Sequence, residues 1–440
     1  MTQRIPRRTF LQGLAVGGIA SAVHVSGLSA APSKSPNGKL NLAHVGVGNK
    51  GWDNVQNLAS ENVVAICDVD ANILAKAAEK YPQAKQYRDY RKMLEAERAN
   101  IDAVTVSTAD HTHAPATAMA LDLGLPVYCE KPLTHTVREA RAIAKLAAKN
   151  KLATQMGSQP HSSDLYRRVV RMIQTGCVGT VKEVHSWCNK GWADGRFQNC
   201  DQPAPAHLDW DLWLGPAKKR PYCTNIHPAN WRRFWEFGSG TFGDMACHVM
   251  GLPFMALNLR TPSTVKCEGP EVHPDGCPAW TKCEYRFAAK GTQPALTFTW
   301  SDGNAHFDVV KNTMGRNGKP ISDWGLGTLF IGDKGMLAAD YGHFEFFPAD
   351  KFEGYQPPTD IRPSIGHWKE WIEACKTGSP TICNFDYAAG LTATILLGIV
   401  AYRTGKTLEW DDAQGRVLNT AEAEQYLTKE YRKGWEVVGV

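Results

Sequence analysis

The run Gly46-Val47-Gly48-Asn49-Lys50-Gly51 constrains this 440-residue chain more than any other feature, because of what stands on either side of it. A short apolar run at 40–45 precedes it, and a second, at 63–67, ends in Asp68, twenty residues after Gly48. A G-x-G-x-x-G between strand and helix, with an acid about 20 residues on, suits a dinucleotide. Gly46 permits the tight turn, Gly48 lets the backbone approach a pyrophosphate, and Gly51 allows helix and strand to pack closely. Asn49 and Lys50 lead into a helix whose free N–H groups and partial positive charge attract phosphates. The Asp68 carboxylate can accept hydrogen bonds from ribose hydroxyls and would repel a 2′-phosphate, so NAD is expected over NADP. Asp70 competes for that role, and Asp68 is preferred because it stands at the strand's end. The plainer alternative is a glycine-rich turn with Asp68 capping the next helix.

Apolar runs continue at 103–107, 127–129 and 152–156, with helical patterns between the runs at 71–80, 114–123 and 137–149. Strands alternating with helices at this spacing indicate an N-terminal doubly wound parallel sheet, the Rossmann arrangement, over 39–157. The pattern then changes. A helix at 164–174 and strand-like runs at 181–188, 281–287, 295–301 and 328–331 predict a C-terminal α+β domain, 158–440, built on a large mainly antiparallel sheet. An apolar helix is expected at 388–402, packing back on the body.

Residues 1–31 have a different character. Arg7-Arg8 precedes Thr9-Phe10-Leu11 and an apolar stretch ending in Ser29-Ala30-Ala31, the pattern of a twin-arginine signal peptide, followed by a polar linker at 32–38. Outside the leader no stretch reads as long and apolar enough to span a bilayer. The expected partner is the twin-arginine export machinery and the expected location the periplasm. This route carries folded proteins, often with a cofactor already bound. Arg4, Arg7 and Arg8 supply three of the five formal positive charges, so the remainder is nearly neutral, and no basic tract points to nucleic acid. Twelve cysteines in an oxidising compartment allow disulfides, and Cys267, Cys277 and Cys283 are close enough to invite one.

Two further motifs carry chemistry. Glu130-Lys131-Pro132 follows the run at 127–129, at the carboxyl edge of the sheet where ligands bind. Gly238-Ser239-Gly240 leads into Phe242-Gly243-Asp244-Met245-Ala246-Cys247-His248, and residues four apart on a helix share a face. Singly, each has a structural explanation: a loop lysine, a first-turn acid and a buried histidine. Together with Thr108-Ala109-Asp110-His111-Thr112-His113, and with the glycine run, they make the chain resemble the Gfo/Idh/MocA family, the glucose–fructose oxidoreductase and inositol dehydrogenase group, from about 39 to 405. The resemblance implies catalytic roles for Lys131, Asp244 and His248, with His248 as general base and Asp244 orienting the substrate or the imidazole. It also implies that Thr108, Asp110, His113, Glu130, Lys131 and Gln159 line the nicotinamide end. Gly251 stands where the family often has an acid, and Ala109 where it often has Pro. The two histidines of 110–113 lack a convincing ligand set, and no metal is expected.

Six of the fourteen tryptophans, Trp187, Trp192, Trp210, Trp213, Trp231 and Trp235, crowd the stretch before Asp244. Aromatic faces suit the C–H faces of sugars, although core packing explains any single one equally well. Lys190, Trp192, Trp231 and Arg232 are therefore the expected contacts of a carbohydrate substrate, with Arg233 a further candidate. Since no NAD pool exists outside the cytoplasm, the cofactor is expected to be tightly bound and recycled internally. Two reactions fit: paired hydride transfer on a sugar or polyol hydroxyl, or an NAD-dependent glycoside hydrolase or lyase that oxidises a hydroxyl transiently. A non-catalytic binding protein would not need Lys131, Asp244 and His248 together. The resemblance further implies a homo-oligomer, dimer or tetramer, through a sheet face without helical cover.

Overall fold

The computed structural model describes residues 28, 30, 33–291 and 293–440. The twin-arginine leader expected at 1–31 lies outside them apart from Leu28 and Ala30. Six parallel strands form the first sheet: β1 (Asn41–Val45), β2 (Asn62–Cys67), β3 (Lys85–Tyr87), β4 (Ala103–Val106), β5 (Val127–Glu130) and β6 (Thr154–Gly157). Their order is β3-β2-β1-β4-β5-β6. β4, β5 and β6 are buried along their whole length, which is why they read as short apolar runs without alternation. β3 was not legible, because two of its three residues, Lys85 and Gln86, are exposed at the sheet edge. Strand order reverses between β1 and β4, and in sheets of this kind ligands bind outside the carboxyl ends at that point.

The expected second sheet is present and has nine strands: β7 (Val181–Cys188), β8 (Thr264–Glu268), β9 (Lys282–Phe287), β10 (Leu296–Asp302), β11 (Leu326–Gly332), β12 (Gly335–Ala339), β13 (Phe344–Phe347), β14 (Leu408–Asp411) and β15 (Arg416–Val417). Every pairing is antiparallel except that of β7 with β10. The outer face of this sheet is only partly bare. Val310 and Ile321, from the segment after β10, pack there on Trp187, Leu329 and Ala338. Elsewhere the same face carries Lys266, Glu284 and Arg286, which the register places in adjacent rows.

Two late helices tie the domains together. Trp371 and Ile372, on the helix His367–Thr377, pack against Leu40, Leu42, Ala103, Tyr128 and Ala153 of the first domain. The helix Phe385–Thr404 packs on both the helix Val137–Asn150 and strand β8. Its 20 residues are long and apolar enough to cross a bilayer, contrary to the expectation that only the leader is. Most of it is buried within the protein, so its all-round apolar surface is that of a core helix. Of the three neighbouring cysteines, Cys267 and Cys283 are bonded across β8 and β9, while Cys277 stays free. A second disulfide, unforeseen, joins Cys200 to Cys223.

Trp371 is fully buried. Trp371→Ala should cost about 3–5 kcal/mol through the cavity it leaves. Chemical denaturation, followed by a probe in the first domain, checks this, and an unchanged midpoint would mean that the late helix does not support that domain.

Candidate functional site

The glycine loop is built so closely that side chains have no room. Gly46 has φ +81°, and a Cβ there would lie 2.6 Å from the Ser107 carbonyl oxygen. A Cβ on Gly51 would lie 2.1 Å from the Gly46 oxygen. The helix Lys50–Asn57 that follows has no side-chain cap at Asn49; the Gly51 N–H turns back to the Gly48 carbonyl at 2.8 Å, and no side chain occupies the helix N-terminus where a phosphate would dock. Lys50 itself is paired with Asp53 at 2.5 Å. Asp68, at the end of β2, accepts from the backbone N–H of Val47 and of Asp70 at 3.0 Å each. Burial raises its carboxyl above the usual range against these two bonds. Asp70 is occupied otherwise, capping the helix Ala71–Lys80 through the N–H groups of Asn72 and Ile73. The loop, the uncapped N-terminus and the Asp68 carboxylate together fit the pyrophosphate and ribose of a dinucleotide.

Asp244 is the centre of the other end. Lys131, just beyond β5, donates from Nζ to Oδ1 at 2.7 Å and to the Asp244 carbonyl at 2.8 Å. Lys190 and the Trp192 indole N–H approach Oδ2 at 3.1 and 2.8 Å. Arg232 Nε lies 3.2 Å from Oδ1, an ion pair by distance but not aligned as a hydrogen bond. Burial alone would raise this carboxyl, but Lys131, Arg232 and Lys190 outweigh it and hold it well below the usual carboxylate range. The chain from Phe242 to Ala246 is a π-helical turn, and an α-helical turn follows at Cys247–Val249. The wider turn separates the four-residue pair that an ideal helix would align. Asp244 faces the cations, whereas His248 directs Nδ1 to the Ser158 hydroxyl at 3.1 Å. Asp244 therefore does not orient the imidazole. Burial and the Lys131 charge hold His248 well below the ordinary imidazole value, so the ring is neutral at pH 7.

The remaining expected residues divide between the site and its frame. Asp110 begins the helix Asp110–Asp122 and is buried with no hydrogen-bond partner on either oxygen, near the charges of Arg232, Lys131 and Asp244. Burial pushes it up to about 7. An orphaned buried carboxyl beside a crevice points to a ligand. His113 has its Nδ1 2.7 Å from the Pro132 carbonyl and its Nε2 3.1 Å from that of Thr108, so it holds the two loops together and offers no nitrogen to a cofactor. The Thr108 hydroxyl donates to the Ala109 carbonyl at 3.3 Å. Glu130 accepts from Asn54 at 2.9 Å, and Gln159 donates to the Tyr128 hydroxyl at 3.2 Å.

Among the tryptophans only Trp192 joins the site, half-buried, with Lys190, Arg232 and Arg233 around its ring. Trp231 is corrected as a substrate contact: it is buried in a cluster with Trp213, Phe234 and Phe237, and its ring carries Arg232 at 4.3 Å. Trp187 lies under the segment beyond β10, and Trp210 stacks on Trp213. Sequence reasoning missed Asn54, Tyr128 and Ser158. Ser158 is the first residue past β6, and such a position at the carboxyl end of a parallel strand is the signal that could have found it.

Comparison with known proteins matches both domains. Residues 40–158 match the Gfo/Idh/MocA model described as an oxidoreductase family with an NAD-binding Rossmann fold, and 167–319 match the model of that family's C-terminal alpha/beta domain. The inositol 2-dehydrogenase of Salmonella typhimurium is 30% identical over 152 residues, 33% of this chain and 45% of that protein. The chain thus spans under half the length of the curated relatives it matches. Among solved structures, the aldose-aldose oxidoreductase from Caulobacter crescentus superposes with a TM-score of 0.57 at 15% identity, covering 84% of this chain and 100% of the other. The WlbA dehydrogenase from Bordetella pertussis, solved with NADH and UDP-GlcNAcA, gives 0.59 at 14%, covering 85% and 99%. At such identities these structures share the fold.

The Asp110 carboxyl has a consequence for stability. Its folded value of about 7 lies above its ordinary 3.8, so the folded protein keeps a proton that the unfolded chain gives up. Stability is therefore lost as pH rises from about 4 to 7. Asp110→Asn should flatten this loss, melting near wild type at pH 4 and higher at pH 8. Calorimetric melts across that range test it, and parallel curves for the two proteins would show that Asp110 is ionised throughout.

Proposed function

The chain belongs to the Gfo/Idh/MocA family of oxidoreductases, and on that premise we propose that it transfers hydride between tightly bound NAD and a hydroxyl-bearing carbon of a sugar or polyol. The observation that carries the reading is that Lys131, just past β5, and His248, held by Ser158 just past β6, both stand at the carboxyl edge of the first sheet, near enough for the Lys131 charge to act on the imidazole. Gly46, Gly48, Gly51 and the N-terminus of the helix Lys50–Asn57 would hold the pyrophosphate, and Asp68 the ribose. The nicotinamide, when bound, supplies the hydride acceptor and donor. His248, neutral at pH 7, takes the proton of the substrate hydroxyl, a contribution of about 10²–10⁴-fold for a well-placed base. Lys131 offsets the negative charge that develops on the substrate oxygen, in a site that is largely dry. Asp244 holds Lys131 in place and, with Lys190 and Trp192, presents a polar wall to substrate hydroxyls.

The substrate class is supported by the names of the relatives, inositol 2-dehydrogenases and an aldose-aldose oxidoreductase, and by the half-buried Trp192, whose indole N–H reaches Asp244. The Arg7-Arg8 leader supports export to the periplasm by the twin-arginine machinery, with NAD already in place and recycled without release. A homo-oligomer, dimer or tetramer, would form through the outer face of the nine-stranded sheet, where the Lys266, Glu284 and Arg286 rows can pair with those of a copy.

Denaturing the purified protein should release about one NAD per chain, whereas protein free of nucleotide and needing added millimolar NAD would contradict tight binding. Lys131→Ala and His248→Ala should keep the nucleotide and lose about 10²-fold or more in turnover on a panel of polyols and glycosides. Wild-type turnover in either variant removes that residue from the reaction. Product formed without net change in nicotinamide absorbance would indicate a returned hydride.

A further inference from the structure

The environment of His248 goes further than placing a base in the crevice, because it decides which ring nitrogen carries the proton. Nδ1 lies 3.1 Å from the Ser158 hydroxyl oxygen. That oxygen in turn lies 3.3 Å from the Cys247 carbonyl oxygen. Ser158 is fully buried, and among the described residues these are the only partners of its hydroxyl. A carbonyl can only accept, and a hydroxyl has a single proton to give. When that proton goes to the Cys247 carbonyl, Ser158 meets the imidazole with a lone pair, and Nδ1 must be the donor.

Charged and titratable groups surround the ring. The groups acting electrostatically on the ring are Lys131, Asp244, His161 and Lys50, and Lys131 is the strongest of them. Tyr166 also packs here, but its hydroxyl donates to the His248 backbone carbonyl and leaves the ring alone. The edge opposite Nδ1 has no hydrogen-bond partner among the described residues, and His248 keeps part of its surface exposed while its neighbours Cys247 and Val249 are buried.

We infer that Ser158 is a positioning residue that fixes His248 as the Nδ1–H tautomer, turning the Nε2 lone pair to the crevice. In a histidine the hydrogen bond made by one nitrogen sets the state of the other. In water the neutral imidazole prefers the opposite form, with the proton on Nε2, which would present a donor where the proposed reaction needs an acceptor. Serine at this position supplies what a carboxylate supplies in a catalytic triad, the correct tautomer and ring orientation, without adding a negative charge to the site.

The catalytic consequence rests on the reading of His248 as the base, but the tautomer itself does not, and the test separates the two. Nitrogen-15 spectra of the histidine-labelled holoprotein, with His248 assigned by its loss in His248→Gln, report the protonation of each ring nitrogen directly. We expect a protonated Nδ1 and an unprotonated Nε2 in the wild type, the reverse or a mixture in Ser158→Ala, and restoration in Ser158→Thr. In turnover, Ser158→Ala should lower kcat by about tenfold or more, within the range a general base contributes. Its acidic pH limb should move to lower pH, because the imidazolium loses an acceptor. A merely structural role would lower kcat without moving the limb. Nε2–H in the wild type, or an unchanged tautomer in Ser158→Ala, overturns the inference. A correct tautomer with full activity in His248→Gln supports the inference and sinks the base assignment instead.

Discussion

The carboxylate of Asp244 is the point on which the two domains depend at the crevice. It belongs to the second domain, yet Lys131, its closest cation, stands at the end of a strand of the first. Taking a carboxylate and an ammonium out of water costs several kcal/mol each, and mutual attraction repays this only when further hydrogen bonds complete the pair. Here the completion is generous: a second ammonium, a guanidinium and an indole N–H converge on two oxygens. A carboxylate so held cannot act as a proton acceptor near neutrality, which leaves that task to other groups. The arrangement fixes Lys131 rather than supplying chemistry of its own.

Around this pair, backbone fit does as much as charge. Gly240 reaches φ +59° and passes so close to Cys277 that a Cβ would lie 2.8 Å from the cysteine's own. The chain can then enter the π-helical turn with Asp244 and His248 on different bearings. On the far side, the helices His367–Thr377 and Phe385–Thr404 return from the end of the chain to cover the first sheet and its neighbouring helix. A crevice bordered by both domains keeps its dimensions only if the domains cannot slide, and these late helices bury apolar surface on both sides to prevent that.

The parallel sheet was legible because its strands are covered on both faces and bounded by glycine and acid, a pattern that survives in sequence. Strands β8 and β12–β15 were not, since runs of two to five residues hold too few alternations to stand out from the loops around them. Gly46, Asp68, Lys131, Asp244 and His248 were singled out by motifs, because each stands in a short local pattern. Trp231 was misplaced for a physical reason: the same apolar ring that suits a sugar face suits a core, and composition cannot distinguish them.

The sequence by itself determined the kind of chemistry available. A strand, a tight glycine turn and an acid at a fixed offset are local, and their backbone conformation follows from a few neighbouring residues. Which groups meet across long separations was decided only by the tertiary structure. Ser158 and His248 are 90 residues apart, and Lys131 and Asp244 are 113 apart. No local periodicity encodes such distances, because they are set by how two sheets and two late helices pack. The same packing brought the Ser158 hydroxyl to Nδ1 of His248 and left the opposite edge of the ring without a partner among the described residues.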